Sequence, residues 1–393
     1  MIGIATELKA LDQTVSQLSD CFRGTYRGKR VLVTGHTGFK GSWLCEWLLA
    51  LGAEVSGCSL PPPTDPSLFE QLNLRDRLSH TIGDVRKLDT VRDLIQVTKP
   101  DFVFHLAAQP LVRASYIEPV ATYATNVMGT AHVLEAVRIS NHPCTVIGVS
   151  SDKCYENQES TLGYREADPM GGYDPYSSSK GAAELLMAAY RRSYFSVPPS
   201  NVRLASVRSG NVIGGGDWAV DRIVPDCVRA LQQGAPIFIR NPRSTRPWQH
   251  VLEPLSGYLW LAAMLHNPDC RPAQALTSSP LNLDSAFNFG PSPAANRTVG
   301  ELVEEILQHW PGCWEDKSTP GALHEATHLS LATDKAHQLL GWKPVWSFSE
   351  TIAETVKWYR TVNSSPIAMA EFTRSQIAGY VSQARHLQLP WAR

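Results

Sequence analysis

The chain has 393 residues, of which 43% are apolar and 19% charged, and its formal net charge is -1. That composition supports one sizeable core or two modest domains and excludes a protein that works by neutralising nucleic-acid phosphates across its whole surface. Its eight cysteines are scattered with no C-x-x-C pair. Neither a zinc site nor a disulfide framework is therefore expected, and reduced thiols in a cytoplasmic protein are the simpler reading.

Residues 1–27 carry Ile4, Leu8, Leu11, Val15 and Leu18 at loose helical spacing. They read as an appended helix or a loose tail and lack the basic-then-apolar layout of a secretory signal. No apolar run anywhere reaches the about 20 residues of a membrane helix. Arg30–Thr34 is a short apolar run that ends at Gly35-His36-Thr37-Gly38-Phe39-Lys40-Gly41. Trp43, Leu44, Trp47, Leu48 and Leu51 then recur at helical spacing, and Glu54–Leu60 reads as a second strand stopped by Pro61-Pro62-Pro63. The alternation continues with a helix over 87–98, a strand over Asp101–Leu106 and a long helix over about 118–140. A strand over Thr145–Val149, a helix from Pro175 to about Ser193 and a strand over Asn201–Val207 follow. Such alternation predicts an α/β fold, a doubly wound parallel Rossmann-type sheet over 28–207. Beyond 208 helices near 221–233, 255–266 and 298–309 are separated by longer loops. These predict a smaller C-terminal α/β substrate lobe over 208–365, partly interleaved with the sheet, and a tail over 366–393.

Gly35, Gly38 and Gly41 form G-x-x-G-x-x-G between a strand and a helix. Glycine lets backbone approach a pyrophosphate, and the helix N-terminus offers unpaired N–H groups. Lys40 beside the last glycine could meet a cofactor phosphate or simply face solvent. The second strand ends in Ser59, where an acidic residue often holds the ribose 2′-hydroxyl. Tyr176 and Lys180 stand i, i+4 at the start of a helix, so they share one face. A nearby ammonium stabilises phenolate, which fits Tyr176 as a base toward an alcohol. Ser151, at the end of the preceding strand, completes a triad suited to hydride transfer. The twelve histidines form no H-E-x-x-H or comparable cluster, and no catalytic metal is expected.

Several segments together carry a resemblance. Gly35–Gly41, Leu106-Ala107-Ala108-Gln109, Asn126, Ser151 and Tyr176/Lys180 resemble the extended short-chain dehydrogenase/reductases over about residues 28–360. Thr34–Trp43, Leu60–Thr64, Ser151–Asn157, Gly210–Trp218 and Arg246–Val251 resemble, more narrowly, the CDP-glucose 4,6-dehydratase family. The resemblance implies NAD as cofactor, held by Gly35, His36, Gly38, Phe39, Lys40, Gly41, Ser59, Asp84, Val85, Leu106, Ala107, Ala108, Gln109, Asn126, Tyr176 and Lys180. It implies CDP-glucose as substrate, oxidised at C4, dehydrated across C5–C6 and reduced at C6 by the same hydride. Tyr176, tuned by Lys180, would take the C4 hydroxyl proton, Ser151 would bond the C4 oxygen, and Asp152 would protonate the departing C6 hydroxyl. Related dehydratases carry an Asp-Glu pair where this chain has Asp152-Lys153, so the C5 base is expected to be Lys153, with Glu156 as the alternative.

The diphosphate must be met locally, and a fork of guanidinium donors suits it. Arg222, Arg240 and Arg246 are candidates, with Arg243 read as a solvated loop charge. Gln109 and Asn211 are expected at the sugar or pyrophosphate. His250 is placed in the base pocket, with Trp248 there or in the core. A homodimer or higher homo-oligomer is expected by analogy, through helices near 118–140 and 176–193, with neither nucleic acid nor membrane as partner. The competing readings are an epimerase or decarboxylase on the same scaffold and a nicotinamide-sensing regulator. Asp152 argues against the first, and the intact Tyr176/Lys180 pair against the second.

Overall fold

The structure is a computed structural model that describes residues 18–160, 162–270, 282–318, 329–362 and 369–393. Its centre is a parallel sheet of β1 (Arg30–Thr34), β2 (Glu54–Ser59), β3 (Ser79–Ile82), β4 (Phe102–His105), β5 (Cys144–Val149), β6 (Val202–Arg208) and β11 (Ala286–Asn288). The spatial order is β11-β6-β5-β4-β1-β2-β3, with every pairing parallel. β1, β4 and β5 are buried along almost their whole length, as expected for strands covered on both faces. Strand order reverses between β1 and β4, and open α/β sheets bind ligands outside the strand ends at such a point.

Four long helices complete the dinucleotide-type half: α1 (Phe39–Ala50), α2 (Leu88–Thr98), α3 (Gly129–Ser140) and α4 (Pro175–Tyr190). The continuous helix expected over 118–140 is broken. Val112–Ile117 and Pro119–Tyr123 are short helical pieces, and Ala124–Met128 is a π-turn leading into α3. Pro119 takes the first position of its helix, where its missing N–H costs nothing. The π-turn contains Asn126, and such turns recur at functional sites.

The substrate-side lobe hangs on three small strand pairs. β7 (Val212–Ile213) lies parallel to β10 (Gln249–His250), β8 (Ile237–Ile239) parallel to β13 (Trp314–Asp316), and β9 (Thr245–Pro247) antiparallel to β12 (Asn296–Thr298). Helices α5 (Ile223–Gln232), α6 (Leu252–His266), α7 (Val299–His309) and α8 (Phe348–Val362) pack around them. β11 leaves this lobe to join the sheet beside β6.

Both ends of the chain differ from the expected tails. Leu18, Cys21, Phe22 and Tyr26 are buried, and Tyr26 donates its hydroxyl to the Leu259 carbonyl on α6 at 2.6 Å. At the other end α9 (Met369–His386) packs on α1, and Trp391 stacks on Phe22 with ring centroids 5.5 Å apart. This explains why α1 is buried nearly all round: the sheet takes one side and α9 the other. Residues 1–17 lie outside the described residues. No described helix is long and apolar enough to cross a membrane.

Candidate active site

The glycine loop closes tightly because nothing larger fits. Gly35 has φ +77, and a Cβ there would stand 2.7 Å from the Ala107 nitrogen. At Gly41 a Cβ would stand 2.1 Å from the Gly35 carbonyl. The loop after β1 thus lies against the segment after β4, at the switch point, with the N-terminus of α1 opening from it. Thr37 shares a hydrogen bond with Ser59 at the end of β2 (2.7 Å) and donates to the Leu60 carbonyl (3.0 Å). The place often held by a carboxylate is therefore lined by two hydroxyls. Asp84 is forked by Arg86, whose Nε and Nη2 donate at 2.9 and 2.6 Å. Those bonds hold its carboxyl below the usual range. Val85 is buried, and its carbonyl accepts from His132 Nδ1 at 3.0 Å.

Two side chains of the loop turn inward. His36 is fully buried, its Nε2 2.7 Å from His80 Nδ1. Burial, then His80, push it down to about 4. It can therefore meet a cofactor only through its backbone. Lys40, expected at a phosphate or in solvent, donates to Ser209 Oγ at 3.0 Å beyond the end of β6. Ser209 in turn shares a 2.7 Å bond with Tyr258. Burial, helped by Lys180 and Arg222, lowers Lys40 to about 7. Its chemistry belongs to the sheet's inner face, because the first turn of α1 points this position at β6.

The carboxyl ends of β5 and β6 bring the reacting groups together. α4 begins at Pro175 with Asp174 as its cap, accepting from the Ser177 nitrogen at 2.9 Å. This fixes the first turn, so Tyr176 and Lys180 are both buried beneath the Ser151 segment. Ser151 stands near enough to the Tyr176 phenol to favour its charged form, and it donates to Asp152 Oδ1 at 2.9 Å. Asp152 is 1% exposed, and its Oδ2 has no hydrogen-bond partner among the described residues. A Cβ at position 210 would stand 2.0 Å from that oxygen, so the acid needs Gly210 beside it. Lys153 Nζ is 4.0 Å from Asp152 Oδ1, at a one-third-exposed position. Glu156 is exposed, with its Oε2 over Gly171. Burial pushes Tyr176 up to about 12, against the pull of Ser151 and Arg222. Burial also lowers Lys180 to about 8, opposed by Glu184.

Other expected contacts sort differently. Asn126 is buried, accepts from the Gln109 nitrogen (2.8 Å) and donates to the Gln109 carbonyl and Ser179 Oγ (3.1 and 2.9 Å). It ties the segment after β4 to α4. The Gln109 carboxamide is taken up by Leu111 and Thr122, which leaves its side chain little to offer a ligand. Leu106, Ala107 and Ala108 line the same segment, half-buried. Phe39 opens α1, with Gly214 close by. Asn211 holds φ +34 beside Gly210. Arg222 donates to Asp217 at 2.8 Å and is close enough to Tyr176 to feel its charge. Arg240 pairs with Asp221 at 3.1 Å on the surface. Arg246 Nη1 donates to the Thr245 carbonyl at 2.8 Å on β9. His250 is not in a pocket: it is fully buried between Trp43 and Trp346, with ring centroids 5.6 and 4.7 Å away. Its place on β10, under α1, makes it a core residue. Trp248 is likewise buried and donates to the Arg297 carbonyl at 3.0 Å. Among the described residues no group of three His, Cys, Asp or Glu could hold a metal ion.

The family model of GDP-mannose 4,6 dehydratase matches residues 32–355, a span that contains the glycine loop, Ser151–Lys153 and the Tyr176/Lys180 pair. The chain belongs to the GDP-mannose 4,6-dehydratase family. Among curated relatives, CDP-glucose 4,6-dehydratase of Salmonella typhimurium is 48% identical over 344 residues, covering 85% of this chain and 91% of that protein. The dTDP-glucose 4,6-dehydratase of Haemophilus influenzae is 24% identical, over 85% of this chain and 99% of that one. Among solved structures, dTDP-glucose 4,6-dehydratase of Bacillus anthracis in complex with NAD has a TM-score of 0.69 at 21% identity, covering 86% of this chain and 98% of the other. At that identity the likeness speaks for the Rossmann-type fold alone.

This member of the GDP-mannose 4,6-dehydratase family also has site residues that the sequence reading missed. Glu184, one turn after Lys180, accepts from Arg208 Nη2 (2.9 Å) and Ser206 Oγ (2.7 Å), all buried. Arg208 Nη1 donates to the Tyr155 hydroxyl at 2.6 Å. The network ties α4, β6 and the Ser151–Tyr155 segment into one rigid unit. The i, i+4, i+8 spacing of Tyr176, Lys180 and Glu184 was the available signal.

Proposed function

We propose that the protein is a CDP-glucose 4,6-dehydratase that converts CDP-glucose to CDP-4-dehydro-6-deoxy-D-glucose and water, with NAD as its cofactor. The reading rests above all on one observation: a buried acid, Asp152, adjoins Ser151 and the Tyr176 phenol where the sheet's strand ends meet. An epimerase needs the phenol and the serine but no acid to expel water. The 48% identical relative supports CDP-glucose as substrate.

The residues present fit NAD. The gap between Gly35, Gly41 and Ala107 admits no Cβ, and the N-terminus of α1 offers its N–H groups to a pyrophosphate. NAD, when bound, supplies the place where the C4 hydrogen and its electron pair wait between leaving C4 and arriving at C6. Tyr176 takes the C4 hydroxyl proton, and Lys180 stabilises the phenolate that does so. Ser151 holds the C4 oxygen. Once C4 is a ketone the C5 proton is acidic. Lys153 is proposed to take that proton while Asp152 gives its own proton to the departing C6 hydroxyl. Lys153 is favoured over Glu156 because its amine approaches Asp152 while Glu156 is exposed. In Lys153→Ala, exchange of the C5 hydrogen with deuterated solvent is expected to fall by roughly 10²-fold or more and in Glu156→Ala to persist. The reverse pattern would give the role to Glu156.

Arg222 and Arg246 are proposed to meet the diphosphate. A homodimer is proposed through Ile117, Val120 and Leu185, which are exposed on helices that pack together and would bury an apolar face. Eight cysteines without a disulfide suit a reducing cytoplasm. The test is to incubate the protein and NAD with CDP-, dTDP-, UDP- and GDP-glucose, then read the alkaline ultraviolet absorbance of a 4-keto sugar. Absorbance with CDP-glucose well above the others is expected. Its absence with CDP-glucose overturns the reading.

A further inference from the structure

Asp152 must meet the C6 hydroxyl as the C5 proton leaves, yet few bonds hold its carboxyl. Oδ1 accepts from Ser151 at 2.9 Å and has Lys153 Nζ at 4.0 Å, both on the same short segment. Oδ2 has no hydrogen-bond partner among the described residues. The acid is located instead by the main chain beside it. Beyond Val149 and Val207, the last paired residues of β5 and β6, the ladder runs on. Ser150 donates its N–H to the Val207 carbonyl at 2.8 Å, and Asp152 donates its own to the Ser209 carbonyl at 3.3 Å. Gly210 then stands against Oδ2, so close that a Cβ there would be 2.0 Å away. Where residues 209 and 210 lie therefore decides where the acid lies.

On its other side β6 is paired with β11 only as far as Arg208. Past that point side chains take over. Ser209 Oγ accepts from Lys40 Nζ, in the first turn of α1, at 3.0 Å. The same oxygen shares a 2.7 Å bond with the Tyr258 hydroxyl on α6. The Gly210 carbonyl accepts from Gln249 Nε2 on β10 at 2.9 Å. Ser209, Tyr258 and Gln249 are all buried, so water does not compete for these bonds, and buried bonds of this kind rigidify what they join. A serine hydroxyl can accept and donate, whereas an ammonium can only donate. One oxygen can therefore be held from two helices at once.

We propose that Ser209 and Tyr258 are positioning residues for the elimination step: their shared hydrogen bond, with Lys40 as its third member, seats the strand end that aims Asp152 at the C6 hydroxyl. The role rests on the dehydratase reading. Both residues act through Asp152 and not on the sugar. The seat bears on one step of the reaction. Oxidation at C4 runs through Tyr176 and Lys180, which α4 and its Asp174 cap hold in place, and it needs no proton from Asp152. Elimination needs the carboxyl within hydrogen-bond reach of the departing oxygen, and a misplacement near 1 Å costs about 10²-fold. Loss of the seat therefore slows the second step and spares the first.

The natural chain, Ser209→Ala and Tyr258→Phe, each loaded with NAD, are mixed in single turnovers with CDP-glucose and with its 6-deoxy-6-fluoro analogue. The near-ultraviolet band of the reduced cofactor rises as C4 is oxidised and falls as C6 is reduced, which can happen only after elimination. With fluorine at C6 the C–F bond breaks with its electron pair, fluoride leaves, and no proton from Asp152 is needed. With CDP-glucose the fall of the band is expected to slow by roughly 10²-fold in Ser209→Ala. In Tyr258→Phe, which removes a single hydrogen bond, it should slow about fivefold. The rise should keep its natural rate in both. With the fluorinated sugar both variants should match the natural chain in rise and fall. Tyr258→Phe keeps the ring and its packing, so it carries the same test should Ser209→Ala not fold. Slowing of both sugars alike, slowing of the rise, or slowing with neither sugar overturns the seat and leaves the dehydratase reading standing. A natural chain that makes no 4-keto product from CDP-glucose overturns that reading, and the seat with it.

Discussion

Lys40 is an ammonium drawn from water into the space between α1, Ser209 and Tyr258. Its folded value of about 7 lies below the ordinary 10.5. The native chain therefore binds fewer protons than the unfolded chain between those values, and stability rises with pH across that window. Below pH 7 the penalty is complete. Lys40→Met, which keeps the length and removes the charge, is expected to stabilise the protein by about 2–4 kcal/mol at pH 6. The gain should shrink to nothing above pH 10.5. Urea unfolding at pH 6 and at successively higher pH measures it, and a gain that grows with pH would contradict the assignment. Asp152→Asn should keep the fold, since its oxygen still accepts from Ser151, yet lower dehydration by roughly 10²- to 10⁴-fold.

At the scale of elements, the loops after the strands carry the site, and glycines decide how closely they approach. Gly210→Ala would place a Cβ 2.0 Å from Asp152 Oδ2 and push the acid aside. A displacement near 1 Å is expected to cost about 10²-fold in turnover, with cofactor affinity little changed because the added Cβ meets Asp152 and not the glycine loop. Fluorescence titration with NADH separates the two effects. The glycine loop, the strand order and the Tyr176/Lys180 pair were legible in the sequence because each is written in local spacing: strand, turn, helix, and i, i+4. Lys40 and His250 were not. Lys40 turns to Ser209, and His250 is enclosed by Trp43 and Trp346, partners distant in the chain that local spacing does not name. Glu184 lay in plain helical register with Lys180, but its partner Arg208 comes from another strand, so the pairing is written only in the sheet.

For the whole molecule, the segment around Phe22 and residues 369–393 close over α1 and so brace the helix whose N-terminus opens at the glycine loop. Trp391 is fully buried against Phe22, Trp47 and Tyr380. Trp391→Ala should cost about 3–5 kcal/mol of stability, read from the urea midpoint, and a loss within experimental error would show that the end merely rests on the core. The account's central claim is that one hydrogen leaves C4 of the hexose and returns to C6 of the same molecule. The direct measurement is turnover of CDP-glucose carrying deuterium at C4, with the product's C6 methyl group read by NMR and mass spectrometry. The account predicts one deuterium in the methyl group of each product molecule. Deuterium in solvent or on free cofactor, with an unlabelled methyl group, would contradict it.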